Sequence, residues 1–147
     1  METIVVINGP NLNMLGSRSP EHYGNRTLSD IETTLRIRAD NLAIGLNFFQ
    51  SNHEGDIVDF IQTTNTYASG IIINAGALTH YSLSVRDALV DTKLPIVEIH
   101  LSNIHGREPF RRHSVIADIA DVQIAGLGWA GYLFALEHIT FAIRRKN

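Results

Sequence analysis

The most constraining feature of this chain is a set of short strand-like runs that are apolar along almost their whole length. Ile4–Ile7 and Ile71–Ile73 contain no polar residue. A strand with one face in solvent alternates apolar and polar residues, whereas a strand covered on both faces stays apolar. These runs therefore predict a parallel sheet with helices on both faces. The predicted strands are Ile4–Ile7, Leu46–Gln50, Gly70–Ile73, Ile96–Ile99 and Val122–Ala125.

Helical patterns fill most of the sequence between these strands. Thr27 is typical of a helix N-cap, and an apolar stripe at three- and four-residue spacings follows it, formed by Leu28, Ile31, Leu35, Ala39 and Leu42. Further helices are predicted at about Glu54 to Thr66, Ser82 to Asp91 and Trp129 to Arg145. This alternation predicts an α/β fold, a flavodoxin-like doubly wound five-stranded parallel sheet of order 2-1-3-4-5. The length of 147 residues predicts a single domain, 1–147.

Composition excludes several classes of function. The formal net charge is -3, and the one basic cluster, Arg144 to Lys146, ends a predicted helix, so nucleic acid is not an expected partner. The chain has no cysteine, which removes disulfides and thiolate chemistry and fits a reducing compartment. The sequence shows neither a signal peptide nor an apolar run of about 20 residues. A cytoplasmic protein without a membrane partner is expected.

The predicted fold also predicts where a ligand would bind. Ligands of open parallel sheets lie outside the carboxyl ends of the strands, near the point where strand order reverses. The loops that should meet there are 8–27, 74–81 and 100–113, and they hold His22, His80, His100 and His105, with His113 at the edge. The first of these loops is much longer than the usual connection of about 2–6 residues. Its length and polarity indicate a functional loop.

Four segments carry a resemblance to a known family. They are Asn8–Gly24, Asn74–Ser82, Glu98–Arg112 and the turn Gly126–Tyr132. Together they closely resemble the type II 3-dehydroquinate dehydratases over essentially the whole chain. The resemblance implies an anti elimination of water from 3-dehydroquinate through an enolate, giving 3-dehydroshikimate, without metal, Schiff base or nucleotide cofactor. It does not separate a biosynthetic role in the shikimate pathway from a catabolic role in quinate breakdown.

The resemblance also implies the catalytic residues. Tyr23 matches the tyrosine that removes the C2 proton, and His100 matches the histidine that protonates the departing C1 hydroxyl. Holding a tyrosine as tyrosinate at pH 7 costs about 4 kcal/mol, and Arg18 on the same loop matches the cation that lowers this cost. Asn11 matches a residue that holds the water or group that stabilises the enolate oxygen. Glu98 lies two residues before His100 on one strand, so both point to the same face, and Glu98 could orient the imidazole.

Substrate-binding residues follow from the same resemblance. Asn74, Leu101 and Ser102 match the groups that hold the substrate carboxylate, and His80 and Arg111 match those that bind the ring hydroxyls. Asp87 matches a residue that reaches the active site of a neighbouring subunit, and its alternative is an exposed carboxylate paired with Arg86 or Lys93. The family typically forms a homo-oligomer, a dodecamer built from trimers.

Three other functions are compatible with parts of the sequence. Gly126, Gly128 and Gly131 spell a dinucleotide fingerprint, but it follows the last predicted strand, whereas the fingerprint belongs to the first strand-to-helix turn. The alternative reading is a tight turn with close helix packing. A non-catalytic flavodoxin-like module would not need the tyrosine, arginine and histidine. A histidine-bound metal hydrolase lacks the usual ligand spacing. The remaining histidines are expected to be surface, packing or loop residues.

Overall fold

The sheet has the predicted topology. The computed structural model describes residues 1–19, 21 and 24–147. Within them, five parallel strands lie in the order β2-β1-β3-β4-β5. The strands are β1 (Thr3–Asn8), β2 (Gly45–Gln50), β3 (Gly70–Asn74), β4 (Ile96–His100) and β5 (Val122–Ala125). The flavodoxin-like prediction is therefore confirmed.

In the described part of the chain, four α-helices connect and cover the strands. They are α1 (Leu28–Leu42), α2 (Glu54–Thr64), α3 (Leu83–Thr92) and α4 (Ala130–Lys146). Thr27 caps α1 in a reciprocal arrangement, since its hydroxyl accepts from the Asp30 amide while the Asp30 carboxylate accepts from the Thr27 amide. The end predicted for α2 is two residues too late, because the Thr66 amide bonds the Thr63 carbonyl in a tighter turn.

Alternating residues of each strand build two cores. Ile4 and Val6 of β1 pack with α1 and α4 on one face, and Val5 and Ile7 pack with α2 and α3 on the other. All four side chains are buried, and each contributes about 1.5–3 kcal/mol relative to exposure. The apolar runs thus face helices on both sides of the sheet. No helix in the described part of the chain has the length and apolar character needed to cross a membrane.

The glycine turn after β5 has a packing role. Gly126 and Gly128 adopt φ angles of +90° and +61°, which residues other than glycine rarely adopt. A Cβ at Gly131 would lie 3.1 Å from the Ile99 Cδ1, so glycine lets α4 approach β4 closely. These three glycines follow an edge strand, which favours the reading as a tight turn with close helix packing.

Candidate active site

Polar residues end the three central strands. The last residues of these strands are Asn8 in β1, Asn74 in β3 and His100 in β4. Each strand therefore ends one residue later than its apolar run predicted. The strands extend to these polar residues because strand pairing uses backbone N–H and C=O groups, and β1 still pairs with β3 at Asn8 and Asn74. Since all strands are parallel, these side chains lie at one edge of the sheet. This edge is where the strand order reverses between β1 and β3.

The loop after β1 is held tightly against the end of β3. The Gly9 amide donates to the Asn74 carbonyl at 2.8 Å, and a Cβ on Gly9 would lie 2.3 Å from the Ala75 carbonyl oxygen. Only glycine allows this approach. The next turn places Asn11 at φ 70°, with its amide donating to the Asn52 Oδ1 at 2.9 Å. The start of the long loop is therefore fixed in place over the sheet edge.

A pocket opens between the loops after β1, β3 and β4. Eight residues predicted for the site line it: Asn11, Arg18, Asn74, His80, His100, Leu101, Ser102 and Arg111. Asp87 does not line it and lies exposed on α3, where the neighbouring Arg86 forms its ion pair with Asp118 instead. Tyr23 lies outside the described residues. The structure therefore brings together side chains from three distant parts of the sequence.

His100 and Glu98 form the buried centre of the site. His100 Nε2 lies 2.6 Å from the Glu98 Oε2, with Glu98 fully buried and His100 almost so. Three more groups donate to the same carboxylate: Thr79 Oγ1 at 2.6 Å, Ser114 Oγ at 2.7 Å and Gln123 Nε2 at 3.1 Å. Because a carboxylate only accepts, the proton on this side of the imidazole belongs to Nε2. A proton passed from His100 to a ligand would then come from Nδ1.

The electrostatics of Glu98 follow from these contacts. Burial by itself would raise the pKa of this carboxyl, because the charged form loses its water. Hydrogen bonding and charge from His100, with the hydroxyls of Thr79 and Ser114, more than offset burial, so the pKa lies below its ordinary value of 4.5. Glu98 is therefore ionised at neutral pH. Its charged carboxylate accepts the hydrogen bond from His100 Nε2 and fixes the orientation of the imidazole.

His80 has the opposite electrostatic environment. Its Nδ1 lies 2.8 Å from the His113 carbonyl oxygen, which can only accept, so the proton is on Nδ1. Desolvation lowers the pKa of His80, and the charges of His100 and Arg111 lower it further. A neutral imidazole with its proton on Nδ1 leaves Nε2 as an acceptor. His80 is thus suited to receive a hydrogen bond from a ligand hydroxyl.

Cationic side chains dominate the outer part of the pocket. Arg18, Arg107 and Arg111 all line it, and Glu108 accepts from the Arg111 Nε at 2.7 Å outside it. The first loop contributes one of these cations and the loop after β4 contributes two. Their guanidinium groups favour a ligand that carries a carboxylate. The described residues include no group of three or more histidine and acidic side chains that could hold a metal ion.

Sequence reasoning missed some of these residues. Arg107, whose side chain is 15% exposed, lines the pocket, although Arg111 was the one arginine of that loop predicted for the site. Arg107 could have been predicted from its position in the segment Glu98–Arg112, four residues before Arg111. Thr79, Ser114 and Gln123 carried no signal of their own. They come from three separate segments and meet at Glu98 only in the folded chain.

A doubly wound parallel sheet with a buried histidine–glutamate pair and several arginines at its switch point is typical of α/β enzymes that act on small anionic ligands. Comparison with known proteins specifies the family. The family model described as Dehydroquinase class II matches residues 2–140. The chain belongs to that family.

Individual relatives agree with the family match. The chain is 55% identical over 147 residues to a 3-dehydroquinate dehydratase of Halothermothrix orenii, covering 100% of this chain and 99% of that protein. It is 49% identical to a protein named catabolic 3-dehydroquinase 2 of Aspergillus terreus, covering 100% of both. The crystal structure of a type II dehydroquinase from Butyrivibrio crossotus superimposes with a TM-score of 0.92 at 41% identity, covering 94% of this chain and 97% of that one. The fold and the family are thus established by independent comparisons.

Proposed function

We propose that this chain is a hydro-lyase that converts 3-dehydroquinate into 3-dehydroshikimate and water. Membership of the class II dehydroquinase family supports the reaction. The observation that carries the proposal is the buried His100–Glu98 pair, which opens onto a pocket lined by three arginines. This pocket combines a proton donor with cations that fit the carboxylate of dehydroquinate. We also propose that residues 1–147 act as one catalytic domain.

The first step is removal of the C2 proton. We assign it to Tyr23 on the strength of the family resemblance, with Arg18 as the cation that favours the phenolate. Electrons from the C2–H bond move toward the C3 carbonyl and form an enolate. Arg18 and Asn11 both line the pocket, which supports assigning them to stabilise the base and the enolate oxygen.

The second step is loss of the C1 hydroxyl. His100 donates a proton to that oxygen, the C1–O bond breaks and water leaves. The enolate electrons between C2 and C3 form the C1–C2 double bond, and the C3 carbonyl is restored. Hydroxide is a poor leaving group, so protonation lowers the barrier. The negative charge of Glu98 at 2.6 Å stabilises the imidazolium before transfer. The proton on the tyrosine then returns to the histidine through solvent, and the cycle closes without a cofactor.

Binding is proposed to fix the ring between two sets of groups. Asn74, Leu101 and Ser102, at the ends of β3 and β4, hold the carboxylate. Neutral His80 accepts from a ring hydroxyl through Nε2, while Arg111 binds a second hydroxyl. All five line the pocket. Two strand ends thus position the substrate between the acid and the loop that carries the base.

The assembly is also a proposal. Asp87 lies exposed on α3 and outside the pocket, so it can touch substrate only in another copy of the chain. We propose a homo-oligomer, a dodecamer of trimers, in the cytoplasm. Light scattering on the purified protein should then give about 200 kDa for twelve chains of 16.3 kDa. A monomeric mass would contradict this assembly.

The function is tested by turnover. The product is a conjugated enone, so purified protein mixed with 3-dehydroquinate should produce its ultraviolet absorbance. Activity should survive excess chelator, and NADH titration should show no saturable binding. His100→Ala serves as the inactive control. Folded wild-type protein without turnover would refute the enzymatic function, and saturable micromolar NADH binding would favour an oxidoreductase.

The shikimate pathway is the proposed setting, and quinate breakdown is the second candidate because the Aspergillus terreus relative is named catabolic. Both routes use the same chemistry. Transcript levels distinguish them: induction by quinate indicates the catabolic role, whereas expression in medium without quinate or aromatic amino acids indicates the biosynthetic role.

A further inference from the structure

A buried row of hydrogen bonds runs from the pocket to Asn8 at the end of β1. The Gly76 amide donates to the Asn74 Oδ1 at 3.2 Å, and the Asn74 Nδ2 donates to the Tyr132 hydroxyl at 3.0 Å. That hydroxyl donates in turn to the Asn8 Oδ1 at 2.5 Å. We call these four residues the Asn74 polar chain. Neither Tyr132 nor Asn8 lines the pocket, and both are buried.

The donor and the acceptor of each hydrogen bond in the Asn74 polar chain follow from the groups at its two ends, the Gly76 amide and the Asn8 oxygen. A backbone amide can only donate, so the Asn74 oxygen must face Gly76 and its nitrogen must face Tyr132. A tyrosine hydroxyl has one proton, and Asn8 offers an oxygen to receive it. The hydroxyl therefore accepts from Asn74. Without an acceptor at Asn8, the hydroxyl proton would be free to turn toward the Asn74 nitrogen and oppose its N–H group.

We infer that Tyr132 and Asn8 are positioning residues that act together with the Gly76 amide to fix which end of the Asn74 amide faces a bound carboxylate. This inference rests on the proposed function. One N–H of Asn74 is used by Tyr132, and the second remains for the substrate, which needs a donor. A rotated amide would present its oxygen to an anion and repel it. The tyrosine on α4 thus acts on binding through Asn74 alone.

The surroundings of Tyr132 support a role beyond packing. Its ring lies in the core between the sheet and the layer of α1 and α4, where a phenylalanine would bury similar apolar area. A buried hydroxyl is costly unless it is hydrogen-bonded, and this one has two partners. Both partners end central strands and are paired in register. The polar group therefore joins the two strand ends beside the site.

The test compares Michaelis constants in folded variants. Tyr132→Phe should raise the KM for 3-dehydroquinate about 3- to 10-fold, the loss of one oriented hydrogen bond, with kcat within about 3-fold. Asn8→Leu should give the same change although it lies outside the pocket. Ile139→Val, an apolar change in the buried face of the same helix, is the control for loss of stability and should leave KM unchanged.

A double-mutant cycle separates positioning from packing. In an Asn74→Ala background, Tyr132→Phe should change KM less than about 2-fold, because the residue through which it acts is gone. If Tyr132→Phe does not fold, the double variant Asn8→Leu with Tyr132→Phe removes both the hydroxyl and its acceptor, and it should show the same rise in KM. A wild-type KM in folded Tyr132→Phe or folded Asn8→Leu, or an equal rise in the Asn74→Ala background, would overturn the inference. Absence of wild-type turnover would instead refute the proposed function.

Discussion

The contribution of the Glu98 negative charge to catalysis can be tested by a nearly isosteric substitution. Glu98→Gln removes the charge and replaces one oxygen by an NH2 group that cannot accept. Three donors converge on Oε2 at 2.6–2.7 Å, so the remaining oxygen should take that position. The new NH2 group then faces the Gln123 amide nitrogen, which lies 3.1 Å from Oε1. The shape of the site is kept while the charge beside His100 is lost.

The magnitude follows from the bond between Glu98 and His100. Hydrogen bonds to charged groups contribute about 1.5–3 kcal/mol, and this bond is made most strongly when the imidazole is protonated. Losing that stabilisation of the acid should lower kcat by about 10- to 100-fold. KM should stay within about 3-fold, because Glu98 does not line the pocket. Initial rates over a range of substrate concentrations measure both constants.

Stability provides a second readout. The pKa of Glu98 is lowered in the folded protein, so the unfolded chain binds the proton more readily. The stabilisation is complete above about pH 4.5 and is lost as pH falls through the lower folded pKa. Urea unfolding should therefore show a weaker acid dependence in Glu98→Gln than in the wild type.

The control is Glu137→Gln, which removes the half-buried ion pair with Arg38 and should change the free energy of unfolding by at most about 1 kcal/mol. It should leave kcat unchanged. A folded Glu98→Gln protein with kcat within 2-fold of wild type would refute the role of the charge.

Three shorter predictions complete the set. Tyr23→Phe should lower kcat by several orders of magnitude with KM within a few-fold, and retained turnover would remove it as the base. His100→Ala should retain proton exchange at C2, measured by deuterium incorporation, longer than net dehydration; equal loss of both would contradict its assignment as the acid. Gly9→Ala should unfold at lower urea concentration, since its Cβ would lie 2.3 Å from the Ala75 carbonyl oxygen, and an unchanged midpoint would exclude that clash.

The strands show what the sequence could predict and why. Covered strands leave an apolar signature, so the sheet order and both helix layers followed from local pattern. The placement of Glu98 and His100 on one face followed from the period of two along a strand. The predicted strand ends were less accurate, because β1 and β3 remain paired at Asn8 and Asn74. This pairing uses backbone hydrogen bonds, which the polarity of the side chains does not indicate.

The parts of the site that depend on tertiary convergence could not be predicted. Thr79, Ser114 and Gln123 are unremarkable polar residues in the sequence, and only the folded sheet brings their donors to one carboxylate. The link from Asn74 to Tyr132 spans 58 positions and has no local pattern either. The residues proposed to bind substrate were predicted through resemblance, whereas the residues that hold them in place required coordinates.

The four donors around Glu98 have a consequence for folding. They come from β4 itself, the turn after β3, the segment before β5 and β5 itself, so the carboxylate is fully bonded only once the last strand has joined the sheet. An intermediate without β5 would lack the Gln123 donor. Recovery of catalysis during refolding should therefore follow the docking of the sheet edge, later than the formation of helices. The recovery of enzymatic activity therefore measures the rate of the last folding step, in which β5 joins the sheet.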